Sequence, residues 1–235
     1  MYSLFKKNEV LFAVAWILVY CLLIAPIRGE YGDDSIILLL AMTALAAGIY
    51  VFVRKYHLEN RYGLDRWPSN TKRFLYFIPM WIAATFNIWD GISLSYTGIN
   101  LVYACLSMAL VGFVEEMLFR GFLFNAMLKD DGPLASIIVC SLTFGIGHIV
   151  NLFSGQASFD TFVQIIFAIS WGFMFTMVYY KGKSILPCII AHSLIDVLSL
   201  FGADNRATDM IFVYATIIIS ILYCIYLSRI KDKQE

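Results

Sequence analysis

Long continuous apolar runs constrain this chain more than any other feature. A helix that crosses a bilayer needs about 20 mostly apolar residues. Eight such runs follow one another in the 235 residues, over 9–27, 34–53, 74–92, 97–128, 133–153, 159–180, 184–202 and 208–228. The runs are unbroken rather than alternating, which argues against a transmembrane β-barrel. Composition agrees: 60% of residues are apolar and 14% charged, against about 25% charged in a soluble domain. A soluble globular enzyme, a disordered chain and a secreted disulfide scaffold are therefore excluded. Seventeen Lys and Arg balance seventeen Asp and Glu with no long basic tract, so nucleic acid is not an expected partner. The five cysteines all lie in apolar runs and show no metal-knuckle spacing. The expectation is an all-α, polytopic integral membrane protein of about eight spans, one membrane domain over 1–235. The first run is too long for the apolar region of a signal peptide and has no small-residue cleavage site after it, so it is expected to be an uncleaved span.

The basic residues orient the spans. With eight crossings, fourteen fall on one side: Lys6, Lys7, Arg54, Lys55, Arg61, Arg66, Lys72, Arg73, Lys129, Lys181, Lys183, Arg229, Lys231 and Lys233. Arg28 and Arg206 fall on the other, and Arg120 lies inside a span. Cytoplasmic loops carry the excess of Lys and Arg, so both termini are expected to be cytoplasmic.

Charged residues inside a span cost about 2.5–3.5 kcal/mol each on insertion scales, and they mark functional interiors. The fourth run carries three, Glu115, Glu116 and Arg120. Glu116 and Arg120 share a helix face and can pair, whereas Glu115 is turned about 100° away. His148 lies in the fifth run, and His192 with Asp196 one turn later in the seventh. Counted from Lys129, Pro133 and Lys183 at about 1.5 Å per residue, Glu115, His148 and Asp196 lie roughly 20–22 Å deep, and Arg120 and His192 about 14 Å. Three antiparallel helices thus bring these groups to one layer. A carboxylate facing an imidazole can deprotonate a water, and a second imidazole with an acid can steady an oxyanion. Alternatively, Glu115, His148 and His192 can hold zinc or another divalent metal with an open position. Sequence leaves metal-bound and metal-free water activation equally open.

Three motifs in order resemble the CAAX prenyl endopeptidase and bacteriocin-processing family (CPBP, or Abi): EExxxR at Glu115–Arg120, FxxxH at Phe144–His148, and HxxxN/D at His192–Asp196. The resemblance covers roughly Gly112 to Leu200, within a catalytic core of about 97–202. It implies an eight-helix intramembrane peptidase with a cavity open to the cytoplasm. Glu115 and His148 would activate water, His192 and Asp196 would form the oxyanion side, Glu116 and Arg120 would support, and Phe144 would line the cavity. Asp196 stands where the best-studied prenyl proteases carry Asn, and an ionised Asp cannot donate to an oxyanion. The implied substrate is a hydrophobic or prenylated peptide or a membrane-protein tail. Short loops resemble members from prokaryotic cytoplasmic membranes, many of them tied to bacteriocin immunity, so a non-catalytic immunity or regulatory protein with a membrane-protein partner is the alternative. Two further rivals are a proton-coupled transporter and a cysteine peptidase using Cys188, His192 and Asp196 at four-residue steps.

Overall fold

The computed structural model describes residues 2–69, 71–203 and 205–230, so Lys231 and Lys233 of the basic set lie outside the described residues. Among the described residues the chain is helical, without strands. A short α1 (Tyr2–Lys7) leads into α2 (Glu9–Tyr31), capped by Asn8, whose side chain accepts from the Leu11 N–H at 2.8 Å. Ser35 caps α3 (Ile36–Lys55) in the same way, accepting from Leu38 at 3.1 Å. These two helices are the first two expected spans. A single turn, α4 (Glu59–Tyr62), follows.

The third expected span, 74–92, departs from a single helix. It is a 3-10 segment (Thr71–Phe77), a short α5 (Ile78–Ala84) and a second 3-10 turn (Phe86–Ile88). Leu75 and Phe77 hold left-handed backbone (φ 51° and 59°), and Pro79 sits at the start of α5. A left-handed residue breaks the helical ladder, and proline is tolerated only in a first helical turn.

Helix α6 (Gly98–Glu116) widens into a π-helical stretch (Met117–Phe124) and runs on into α7 (Asn125–Gly147). The chain reverses within α7 at Gly132, whose φ of 75° and ψ of 174° are non-helical, and restarts at Pro133. Expected spans four and five are therefore the two arms of a hairpin. The Cys140 thiol, on the return arm, donates to the Phe119 carbonyl at 3.2 Å. After Gly147 the helix tightens to a 3-10 turn (His148–Ser154), so the last part of the expected fifth span is not α-helical. The chain closes with α8 (Ser158–Gly182), α9 (Leu186–Ser199) and α10 (Arg206–Arg229).

Among the described residues, five helical stretches are long and apolar enough to cross a membrane, the 57-residue Gly98–Ser154 hairpin counting as one. Helix α9, with 14 residues, spans about 21 Å and is shorter than the ≈ 30 Å hydrocarbon core. Small residues let the inner helices approach. A Cβ on Gly112 would lie 2.4 Å from Ser193 Oγ, one on Gly145 2.3 Å from Ile169, and one on Gly172 2.9 Å from the Ser141 carbonyl. Close backbone packing of this kind is the usual way membrane helices associate, because lipid tails supply no hydrophobic drive. It sets α6 against α9 and α7 against α8. Outside the bundle, Leu18, Leu22, Leu40, Ile218 and Leu222 present an exposed apolar girdle.

Candidate active site

A cavity of about 520 Å³ penetrates the bundle. Its wall takes Tyr20, Ile24 and Arg28 from α2, Met108, Val111 and Glu115 from α6, Phe144 from α7, His148 from the 3-10 turn after it, and His192, Asp196 and Ser199 from α9. The four expected catalytic residues and Phe144 thus meet in one space. Glu116 and Arg120 lie behind the wall, both fully buried. The π-helical widening begins directly after the two glutamates, at the point where one carboxylate faces the cavity and the next faces the packed interior. Such widenings recur at functional positions in α-helices.

Each oxygen of Glu115 has its own neighbour. Oε1 accepts from the Tyr20 hydroxyl at 2.6 Å, and Oε2 lies 3.7 Å from His192 Nε2. His192 Nδ1 donates to Glu116 Oε1 at 2.9 Å, which fixes the ring so that Nε2 faces the cavity. Asp196 Oδ2 stands 3.5 Å from that same Nε2. Glu116 Oε1 also accepts from Arg120 Nη1 at 2.8 Å, as the four-residue spacing requires. Arg120 reaches the Gly172 carbonyl at 3.3 Å and stacks over Phe144 at 4.2 Å and Phe175 at 5.4 Å. Phe144 meets both imidazoles edge-on, His148 at 5.4 Å and His192 at 5.6 Å. His148 Nδ1 lies 3.1 Å from the Phe144 carbonyl. A carbonyl only accepts, so Nδ1 carries the proton and Nε2 keeps its lone pair.

Sequence reasoning missed two contributors. Tyr20 comes from the first span, 95 residues away from the glutamate it contacts. Its signal was a phenol inside an apolar run, since a buried Tyr hydroxyl usually finds a partner. Arg28, read only as a loop charge, lines the cavity and pairs with Asp33 at 2.6 Å. Cys188, the nucleophile of the cysteine-peptidase rival, is buried away from the cavity wall and donates to the Phe175 carbonyl at 3.4 Å. Among the described residues, no three His, Cys, Asp or Glu converge as a metal-ligating group.

The mouth of the cavity carries Arg28 from the last turn of α2, Gly32 and Asp33 after it, Tyr96 before α6, and Gly155 and Gln156 before α8. The basic loops occupy the other end of the bundle. The expectation of a cytoplasmic opening and the expectation of cytoplasmic basic loops are therefore in conflict.

Residues 97–198 match the family described as type II CAAX prenyl endopeptidase, Rce1-like. Over that segment the chain is similar to the CAAX-protease family. All three motifs fall inside the match, whereas Tyr20 and Arg28 lie outside it. The match and the long apolar helices together point to a multi-pass membrane protein with a protease-like segment. A comparison with curated proteins found no match.

Proposed function

We propose that this chain is an intramembrane endopeptidase that hydrolyses a peptide bond with a water activated by Glu115 and His148. The observation that carries this reading is the division of labour at Glu115. Tyr20 holds one carboxylate oxygen, and the other is left toward the cavity that His148, His192 and Asp196 share. Water held between Glu115 Oε2 and His148 Nε2 meets two acceptors. Glu115 takes its proton as the oxygen attacks the substrate carbonyl. The tetrahedral oxyanion then faces His192, which enters the reaction doubly protonated and donates from Nε2–H while Nδ1–H stays hydrogen-bonded to Glu116. Glu116 orients that ring through Nδ1, and Asp196 orients it from the cavity side. Glu115 returns the proton to the departing amine, which restores the carboxylate.

The wider reading keeps eight membrane-crossing segments, both termini cytoplasmic and a prokaryotic cytoplasmic membrane as the setting. In it, the broken segment 71–88 and the short α9 count as crossings within the protein interior, where irregular backbone is tolerated. Ile24, Met108, Val111 and Phe119 give the cavity an apolar wall, which suits a hydrophobic or prenylated peptide.

Glu115, His148 and His192 would be the residues to hold a divalent metal such as zinc, which would supply a water of lowered pKa. This second route is favoured by the engagement of both Nδ1 atoms with a carbonyl and a carboxylate, the outer support that metal-ligating histidines take. As placed, the three side chains do not form a ligating group, so no step is routed through a metal.

The test pairs the purified wild type with Glu115→Gln on a panel of prenylated and hydrophobic peptides, with elemental analysis of both. Cleavage by the wild type only supports the peptidase, and stoichiometric metal selects the second route. Protection or signalling in cells that survives Glu115→Ala at equal protein level would instead favour the non-catalytic immunity or regulatory role.

A further inference from the structure

We infer that the cavity opens on the non-cytoplasmic face, so that the substrate is a polypeptide segment presented from outside the membrane and not the tail of a cytosolic protein. The inference deepens the proposed peptidase reading and rests on it, and on the orientation of the spans. Three observations carry it.

The first is where the mouth lies. Arg28 lies in the last turn of α2 and Asp33 follows that helix, whereas Lys6 and Lys7 precede its start. Tyr96 precedes α6, Gln156 precedes α8, and Ser199 ends α9, which begins after Lys181 and Lys183. Every one of these positions is a helix end remote from the basic loops, and the side rich in Lys and Arg is the cytoplasmic one.

The second is that the basic end is closed. Phe122, two residues beyond Arg120, packs against Phe12 at 5.1 Å, Tyr62 at 5.5 Å and Phe52 at 6.1 Å. The loop after α4 is drawn tightly over the start of α9. A Cβ on Gly63 would stand 2.3 Å from the Lys183 carbonyl. The Ile185 N–H donates to the Gly63 carbonyl at 3.3 Å, and the Ser184 hydroxyl donates to the Arg66 carbonyl at 2.6 Å. These contacts pack the bundle between the cavity and the basic loops.

The third is depth. Asp196 lies three residues before the end of α9 at Ser199 and 13 residues after Lys183, roughly 5 Å from one end and roughly 20 Å from the other at about 1.5 Å per residue. His148 opens the 3-10 turn that follows α7. A chain from outside reaches Asp196 within about two extended residues, whereas one from the cytoplasm needs about six.

Single cysteines test the inference without relying on proteolysis. Gln156→Cys and Ala157→Cys mark the mouth, and Lys129→Cys marks the closed end. A membrane-impermeant maleimide is applied to intact and to permeabilised cells, with the unsubstituted chain as background. The expected result is that both mouth cysteines label equally in intact and permeabilised cells, and Lys129→Cys only after permeabilisation. Mouth cysteines that label only after permeabilisation, or in neither state, overturn the inference. The companion assay adds a charged, fluorophore-tagged hydrophobic peptide to right-side-out and inverted vesicles. Glu115-dependent cleavage is expected in right-side-out vesicles, and cleavage confined to inverted ones overturns the inference. Expected labelling without any cleavage counts against the peptidase and leaves the outward opening standing.

Discussion

Replacing Arg120 with Met tests how the site tolerates charge in its interior. Glu116 and Arg120 both have 0% side-chain exposure. Remove the guanidinium, and the Glu116 carboxylate keeps only His192 as a partner. Stranding one member of a buried pair costs about 3–5 kcal/mol. The stack of the guanidinium on Phe144 is also lost, but a Met side chain keeps apolar contact with the ring, so about 3–5 kcal/mol stands as the expected loss. The double variant Glu116→Gln/Arg120→Met behaves differently. The amide that replaces the Glu116 carboxylate still offers a carbonyl oxygen to the His192 Nδ1–H, and no charge is stranded. Moreover, the native pair leaves Glu116 Oε2 and Arg120 Nε without hydrogen-bond partners, so its desolvation is incompletely offset. Exchanging such a pair for neutral groups is often neutral or stabilising. The double variant is expected within about 1 kcal/mol of the wild type, giving a coupling of several kcal/mol across the cycle. Equilibrium unfolding of all four proteins in lipid–detergent micelles measures it. If Arg120→Met alone lies within about 1 kcal/mol of the wild type, or the double variant loses the sum of the two singles, the buried-pair argument is wrong.

Four further outcomes follow from the same geometry. Glu115→Gln should reduce turnover by about 10²- to 10⁴-fold, the usual worth of a positioned base, with the melting temperature unchanged; steady-state cleavage beside a melting curve reads both. Tyr20→Phe removes the 2.6 Å hydrogen bond to Glu115, worth about 1.5–3 kcal/mol to a charged acceptor, so kcat/KM should drop by about one to two orders of magnitude; an unchanged value would mean that Tyr20 does not position the base. Cys188→Ala should leave turnover intact, because its thiol only caps a buried carbonyl; inactivity in a correctly inserted protein would revive the thiol nucleophile. Gly112→Ala forces a Cβ to 2.4 Å from Ser193 Oγ and should cost about 1–3 kcal/mol of stability as overpacking, visible as a lower melting midpoint.

The site was far more legible in the sequence than the path of the backbone that builds it. Glu115, Glu116, Arg120, His148, His192 and Asp196 stand out because lipid makes each polar side chain costly, so each must face a partner or water. Four-residue spacing then separated the paired Glu116 from the cavity-facing Glu115. The hairpin between spans four and five was marked by Gly132 and Pro133. The break at 71–88 was hidden, because its residues are as apolar as those of a continuous span; what interrupts it is left-handed backbone at Leu75 and Phe77, which no local preference of leucine or phenylalanine favours. The π-helical widening after Glu116 and the 3-10 turn at His148 were hidden likewise. Tyr20 could be flagged as needing a partner, but its choice of Glu115 is set by how α2 packs on α6.

The conflict over sidedness turns on which observation belongs to this chain. A cytoplasmic opening came by analogy, through residues that define the chemistry but carry no information about which way the bundle faces. The three motifs would read the same in an inverted bundle. The charge asymmetry is a property of the chain itself, and orientation in the membrane follows the Lys and Arg of short loops. Asp196, three residues before the end of α9, and His148, directly after α7, stand toward the end of the bundle away from the basic loops. An active site open to the cytoplasm at that depth would need a shaft through the layer that Phe12, Phe52, Tyr62 and Phe122 fill. If the charge asymmetry sets the direction, the proposed chemistry faces outward, and the substrates to search for are chains that have already crossed or emerged from the membrane.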